Sequence, residues 1–370
     1  MNEIQTVIIF FTFLFAGSLL YTAKKKRESL FSFFVNLELE YVVVGLVLFY
    51  MTDTLPMPMA TLNGIMHLLL AFMGLALGTH FSLKLLKSVP GRFYTYTVTI
   101  YFVMLPPLYF LLKYTGCSNP LIMSIALNTL MPYSLNLSMK LFRVPKDRVF
   151  ISNLTASLFP LVTLIAYSIA AGAVDYRPFD FLKSMVAALL MSTLFIHYGK
   201  SKSKKNVHNL SILFVVLISG IAIYYKISPL VLGFLTGFIK SDTKYGNIFQ
   251  NISISFERIL YIFFYVVLGV MLGYGFKQGV ASVPTALGLY ICFVVVRIFF
   301  AKFLANKIMP TRDECICLIS TGILPAVLML DFGTRNGYDS IAKLFVPFFL
   351  LHLATEITTY FTVKNERKTD

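Results

Sequence analysis

The chain has 370 residues, of which 57% are hydrophobic and only 13% are charged, and its mean hydropathy is +0.76. This composition is typical of a protein that crosses a membrane many times, and it excludes a soluble domain built on one large core. The net charge of +15 does not indicate nucleic-acid binding, because the basic residues lie in short loops between apolar runs.

Thirteen apolar runs predict an all-α polytopic membrane protein, since about 20 helical residues cross the hydrocarbon core of a bilayer. In chain order the predicted spans are 4–22, 30–51, 60–80, 91–113, 119–143, 148–171, 178–197, 209–226, 228–242, 254–275, 281–306, 314–332 and 341–363. The ninth span is short for a full crossing.

The charges of the loops predict the orientation of these spans. With the N-terminus outside and the C-terminus in the cytoplasm, Lys and Arg are about four times as frequent in the cytoplasmic loops as in the outer loops, as the positive-inside rule requires. Without the ninth span, every later loop would change sides and the pattern would be lost. In this topology spans 2–6 and 9–13 form inverted repeats.

Spans 5 and 12 carry helix-breaking and polar residues at matching places in the two repeats. Proline breaks a helix, and in lipid a broken backbone is tolerated only where protein or water covers it. Paired interruptions indicate the midplane binding site of a transporter, although two kinked packing helices without a ligand are the alternative. The candidate ligand and helix-break residues are Asn128, Thr129, Pro132 and Ser134 in span 5, and Thr321, Gly322 and Pro325 in span 12.

Two ionisable residues lie deep within predicted spans. Arg297 lies about 15 Å from the inner end of span 11, and Glu356 lies about 15 residues into span 13. We expect them to pair, either as a static salt bridge or as part of a functional site. We expect Asp331 to reach water at the outer end of span 12, and Glu38 and Glu40 to begin span 2 in solvent.

Four stretches are similar to motifs of one transporter family. They are FMGLALGTHFSLKLLKSVPG in span 3 and the loop after it, SPLVLGFLTGFIKSD in span 9, ILYIFFYVVLGVMLGYG in span 10 and TGILPAVLML in span 12. In order and spacing they resemble the cation:proton antiporter superfamily, in particular its Kef-like and NapA-like branch of monovalent cation:proton antiporters.

The resemblance implies that broken helices in spans 5 and 12 cross each other. It implies a core of spans 4–6 and 11–13, about 91–171 and 281–363, with spans 1–3 and 7–10 as a dimerisation scaffold. It also implies a homodimer of the bacterial inner membrane that exchanges a monovalent cation for protons by alternating access.

Span 6 departs from that family, whose members carry one or two acidic residues on the helix after the first broken one. No Asp or Glu occurs between Arg148 and Ala171. Asn153 and Ser157 offer oxygens that can bind a cation, but neither exchanges a proton at physiological pH. By the same resemblance, Arg297 occupies the position of the basic partner of the missing acid.

With this resemblance, the sequence predicts a secondary transporter that exchanges Na⁺ or K⁺ for H⁺ within the lipid bilayer, or a diverged relative that moves another small solute. The resemblance makes Glu356 a candidate for the displaced carboxylate that exchanges cation and proton, as the alternative to a static salt bridge with Arg297. A second hypothesis is a degenerate membrane subunit or sensor that keeps the fold without transport. A third is an organic-anion carrier with the architecture of bile-acid symporters, although about ten helices are usual there. No phosphate loop, metal-ligand cluster or nucleophile–base pair is evident, so we predict no enzymatic activity, no metal and no cofactor.

Overall fold

The computed structural model describes residues 37–52, 59–131, 136–137, 142, 146–174, 179–199, 204–243, 246–277, 283–300, 303 and 320–366. These residues form helices and the turns between them, without a strand among them. The helices are α1 (Glu40–Thr52), α2 (Met59–His80), α3 (Leu83–Ser88), α4 (Gly91–Tyr114), α5 (Pro120–Leu127), α6 (Lys146–Val174), α7 (Asp180–Gly199), α8 (Lys204–Tyr225), α9 (Pro229–Ser241), α10 (Gly246–Lys277), α11 (Val283–Ile291), α12 (Leu324–Asn336) and α13 (Asp339–Glu366). From α4 onward the number of each helix is the same as the number of its predicted span. Helices α1 and α2 correspond to spans 2 and 3, and span 1 lies outside the described residues.

Six of the described helices contain a stretch that is long and apolar enough to cross a membrane: α2, α4, α6, α7, α10 and α13. Large apolar side chains on the outer face of α7, such as Leu182, Leu190 and Leu194, are about half exposed. Such a face is expected where lipid rather than water surrounds the protein. The protein is an all-α integral membrane protein, as predicted.

The ninth predicted span is a helix. The Ser228 hydroxyl accepts a hydrogen bond from the backbone N–H of Val231 at 3.0 Å, and Pro229 occupies the start of α9, where a missing backbone N–H is tolerated. At 1.5 Å per residue, α9 covers only about 20 Å of the bilayer. Most of its side chains are buried by neighbouring helices, which protects this short span from lipid.

Three local features were not predicted. The short helix α3 follows α2, and a π-helical turn, Cys292–Val296, continues α11 directly before Arg297. Lys240, near the end of predicted span 9, lies in the last turn of α9 and is fully buried, with its Nζ 3.7 Å from the ring centre of Phe195. A π-turn changes the rotation of the residues that follow it, so it alters the direction in which Arg297 points.

Glycines allow two pairs of helices to approach until their backbones touch. A Cβ atom on Gly74 of α2 would overlap a backbone oxygen of α9, and one on Gly233 of α9 would overlap a backbone oxygen of α2. Gly45 of α1 and Gly269 of α10 contact each other's helix in the same way. The pair α2–α9 corresponds to spans 3 and 9, and the pair α1–α10 to spans 2 and 10. The inverted repeat exchanges these two pairs, so equivalent helices pack alike.

Candidate functional site

The two interrupted helices cross. Residues 128–131 after α5 and residues 320–323 before α12 are not helical, and the Met131 N–H donates a hydrogen bond to the Ser320 carbonyl at 3.4 Å. A broken backbone within a membrane needs partners from the protein. Here the N–H of Met131 in the first interruption is paired with the carbonyl of Ser320 in the second.

Gly322 and Pro325 shape the second interruption. Gly322 has a φ of +62°, and a Cβ atom there would lie 2.6 Å from the Cβ of Met131. Both the left-handed conformation and the close approach therefore require glycine. Pro325 lies in the first turn of α12, where a backbone N–H would lack an intrahelical partner in any case. The N-terminus of α12, which is the positive end of the helix dipole, therefore lies at the crossing.

Arg297 binds the end of the first half-helix. Its Nη2 donates to the backbone oxygen of Asn128 at 2.7 Å and to Asn128 Oδ1 at 2.5 Å. Asn128 Nδ2 in turn donates to the carbonyl of Tyr101 at 2.7 Å, and the guanidinium lies 3.9 Å from the ring centre of Phe293. The last carbonyl groups of a helix lack partners and carry the negative end of its dipole, so a cation there stabilises the interruption.

Glu356 contacts the second interruption instead. Its Oε1 accepts a hydrogen bond from Ser320 Oγ at 2.8 Å and lies 3.6 Å from Nδ1 of His352. The Thr321 hydroxyl lies 3.1 Å from the same His352 nitrogen and 3.3 Å from the Thr355 hydroxyl. All five side chains are buried. One face of α13 thus presents a polar stripe to residues 320–321, because positions three and four apart share a helix face.

The predicted ion pair between Arg297 and Glu356 is not formed within the described part of the chain. Arg297 binds Asn128, whereas Glu356 contacts Ser320 and His352. Counting residues along a span predicts depth in the membrane. It does not predict the direction in which a side chain leaves its helix, and that direction assigns the two charges to different interruptions.

A small cavity lies beside the crossing. Met131, His352 and Glu356 line it, together with Glu38 from the segment before α1 and Tyr265 from α10. It has room for about one water molecule. Nε2 of His352 has no hydrogen-bond partner among the described residues, although the side chain is fully buried.

Two acids expected in contact with water are buried, which corrects the sequence-based expectation. Glu38 is 3% exposed and lines the cavity. Asp331 is fully buried: Oδ1 accepts a hydrogen bond from Ser228 at 2.9 Å, and Oδ2 accepts from Tyr167 at 2.7 Å and Arg335 at 3.3 Å. Packing by neighbouring helices, which span boundaries do not reveal, excludes water from both. The sequence did contain a signal for the burial of Glu38, because this residue lies about 12 Å into predicted span 2.

The remaining candidates are distributed around the crossing. Thr129 is fully buried within the first interruption, and its hydroxyl has no hydrogen-bond partner among the described residues. Ser157 is partly buried on α6, and Asn153 belongs to the same helix. The side chain of Asn153, and all of Pro132 and Ser134, lie outside the described residues.

No family model and no curated protein matches the sequence. A solved structure does match: the sodium/proton antiporter MjNhaP1 from Methanocaldococcus jannaschii at pH 8, with a TM-score of 0.59 over 90% of this chain and 98% of that chain, at 13% sequence identity. The chain has the sodium/proton antiporter fold. The predicted antiporter architecture, with inverted repeats and two crossed, interrupted helices, is confirmed. The Kef-like and NapA-like branch of antiporters stays a prediction.

Proposed function

We propose that the protein is a secondary transporter that exchanges Na⁺ or K⁺ for protons, with Glu356 as the exchanging carboxylate. The observation that carries this proposal is a fully buried carboxylate facing a water-sized cavity beside two crossed, interrupted helices. An ionisable group at this depth costs free energy and is by default a functional group. The antiporter fold, and the sodium/proton exchange named for MjNhaP1, support the same activity.

The groups around Glu356 suit a monovalent cation. The Ser320 hydroxyl contacts the carboxylate, and the Thr321 hydroxyl contacts the neighbouring His352 nitrogen. Interrupted helices also offer backbone carbonyls of the kind that coordinate Na⁺ in transporters. Protonation removes the negative charge that attracts the cation, so the two ligands compete for one carboxylate. This competition is the chemical basis of exchange.

Arg297 has a positioning role in this proposal. It binds Asn128 at the end of α5 and does not contact the exchanging carboxylate. The cavity beside Glu356 has room for about one water molecule, which is too small for an organic anion.

Movement of a core against a scaffold would expose the cavity to each side of the membrane in turn. We assign α4–α6 and α11–α13 to the core and the remaining helices to the scaffold of a homodimer, on the strength of the antiporter fold. We place the protein in the bacterial inner membrane, with the N-terminus outside, on the strength of the family resemblance and the charges of its loops.

The test is cation flux through the purified protein in liposomes under imposed Na⁺, K⁺ and pH gradients. Glu356→Gln keeps the shape of the side chain and removes its proton site, so we expect pH-driven flux to fall by at least about tenfold, toward that of protein-free liposomes. Glu366→Gln, at the far end of the same helix, removes the same charge and is expected to transport like the wild type.

Three results would contradict the proposal in different ways. Normal proton-coupled flux in Glu356→Gln would exclude this carboxylate from exchange. A wild-type protein that is folded but inactive under all gradients would favour the non-transporting subunit. Uptake of an organic anion driven by Na⁺ would favour the carrier hypothesis.

A further inference from the structure

Asp331 of α12 divides its hydrogen bonds between two groups of helices. The residue is fully buried. Its Oδ2 accepts a hydrogen bond from the Tyr167 hydroxyl of α6 at 2.7 Å and another from Arg335 Nη2 at 3.3 Å. The same Arg335 nitrogen donates to the Tyr167 hydroxyl at 3.0 Å. This oxygen is therefore bound within α6 and α12, which both belong to the core as we assign it.

The other oxygen of Asp331 binds the N-terminus of α9, a helix that we assign to the scaffold. Oδ1 accepts a hydrogen bond from the Ser228 hydroxyl at 2.9 Å and one from the backbone N–H of Leu230 at 3.4 Å. The first N–H groups of a helix lack intrahelical partners and carry the positive end of its dipole, so they attract a carboxylate. Asp331 thus caps α9 from a different helix.

A second hydrogen bond joins the same two groups of helices. The Tyr338 hydroxyl, in the turn between α12 and α13, donates to Asn63 Oδ1 of α2 at 3.0 Å. Glycine contacts such as those of Gly74 and Gly233 hold α2 and α9 together, which supports movement of these two helices as one unit. Asp331 and Tyr338 therefore both bind that unit to the helices around the crossing.

Both contacts lie on the outer side of the protein in the predicted topology. Spans 3 and 9 begin outside, span 6 ends outside, and the turn before α13 is an outer loop. Asp331 lies about 10 Å along α12 from the crossing. The two hydrogen-bonded contacts therefore close the outer end of the boundary between core and scaffold.

We propose that Asp331 is a latch that holds α9 against α6 and α12 while the outer side is closed, and that releases α9 when the ion site opens outward. The inference rests on the proposed function, because it needs a core that moves against a scaffold. Water that enters from the outside replaces the partners that Oδ1 loses, and the net cost is modest because hydrogen bonds to water are nearly as favourable. The bonds to Oδ2 keep the carboxylate in place, so the contact can form again.

The test measures cation flux in liposomes that contain the full-length protein in one orientation, with sodium or rubidium supplied to one side at a time. Asp331→Asn keeps the shape of the side chain and removes the charge that attracts the N-terminus of α9. Because this favours the outward-open form, the apparent KM should fall about threefold or more for cation supplied outside and rise for cation supplied inside. Asp180→Asn is the matched control, since this buried acid contacts Lys183 of its own helix. Both KM values should then stay within about twofold of the wild type.

Repulsion at the same contact provides a second variant. Ser228→Asp keeps a good N-cap for α9 but places a second carboxylate against Asp331, so both KM values should move in the same directions as in Asp331→Asn. Combining the two substitutions should return both values toward the wild type, because the amide can donate to the new carboxylate. A purely structural Asp331 would instead lower flux from both sides and show no such rescue.

A reversible cross-link keeps Asp331 and tests the closure directly. In a variant whose four cysteines are replaced by Ser, Asn63→Cys and Tyr338→Cys are joined by a short bifunctional thiol reagent that contains a disulfide. Flux should stop when the pair is joined and recover when the reagent is reduced, because the joined core and scaffold cannot separate on the outer side.

The outcomes distinguish this inference from the function on which it rests. Unchanged KM values on both sides in Asp331→Asn and Ser228→Asp, or full flux through the cross-linked protein, would overturn the latch and leave the proposed function intact. Absence of flux through the folded wild-type protein under every gradient would overturn the proposed function, and the latch with it.

Discussion

Arg297 supplies hydrogen bonds that α5 loses at its end. A buried guanidinium is expensive unless its surroundings satisfy it, and here the carbonyl and side chain of Asn128 provide two acceptors while Phe293 covers one face of the group. The charge therefore stabilises an interruption of the backbone.

A double-mutant cycle can identify the partner of Arg297. We expect Arg297→Ala and Asn128→Ala to be coupled by about 1.5–3 kcal/mol in the free energy of unfolding, the usual range for hydrogen bonds to a charged group. Arg297→Ala and Glu356→Gln should be additive within about 0.5 kcal/mol, because these two residues share no contact. Denaturant unfolding of the purified variants measures both couplings. A stronger coupling to Glu356 than to Asn128 would restore the ion pair predicted from the sequence.

Helices α2 and α9 contact each other through glycines spaced four residues apart on both helices. Gly74 and Gly78 on α2 face the backbone of α9, and Gly233 and Gly237 on α9 face the backbone of α2. In lipid, helices gain little from the hydrophobic effect, so close van der Waals packing of this kind carries much of their association. These glycines also belong to the sequence stretches that resemble antiporter motifs.

Adding one methyl group to this contact should destabilise the protein. We expect Gly74→Ala to lower the free energy of unfolding by about 1–3 kcal/mol, because the new Cβ would overlap a backbone oxygen that only a shift of the whole helix can relieve. Gly220→Ala on α8 is the matched control, since its Cβ would meet no atom within 4 Å. That variant should be neutral or more stable by up to about 1 kcal/mol. Thermal unfolding followed by circular dichroism measures both, and equal midpoints would contradict the packing argument.

The orientation of the entire protein in the membrane is a prediction from the charges of its loops. In the predicted topology each helix from α4 to α13 belongs to a separate span, so the side of any loop fixes the side of all the others. The positive-inside rule then predicts that the basic loops face the cytoplasm.

Cysteine labelling from each side of the membrane tests this orientation. In a variant whose four cysteines are replaced by Ser, single cysteines at Lys205 and Lys368 should react only with reagent supplied to the cytoplasmic side. A cysteine at Asn119, before α5, should react only from the outside, because one crossing separates it from the basic loop at the start of α6. Reaction of Lys205→Cys and Lys368→Cys from opposite sides would refute the thirteen-span topology.

Local physics made much of this architecture predictable from the sequence. Long apolar runs require helices in lipid, and most helices from α4 onward lie where hydropathy placed them. Gly322 and Pro325 act through their own backbones, so the second interruption was predictable without any neighbour. The burial of Glu356 followed from its distance to the ends of span 13.

Only the tertiary structure decided which of the polar groups meet. Glu38 and Glu356 lie near opposite ends of the chain, yet they line one cavity, while Arg297 binds Asn128 rather than the acid at its own depth. The rotation of each helix and the close approach of its neighbours set these contacts, and neither has a signature in the local sequence. The sequence by itself determined which residues enter the membrane, whereas the packing of helices determined which of them form the site.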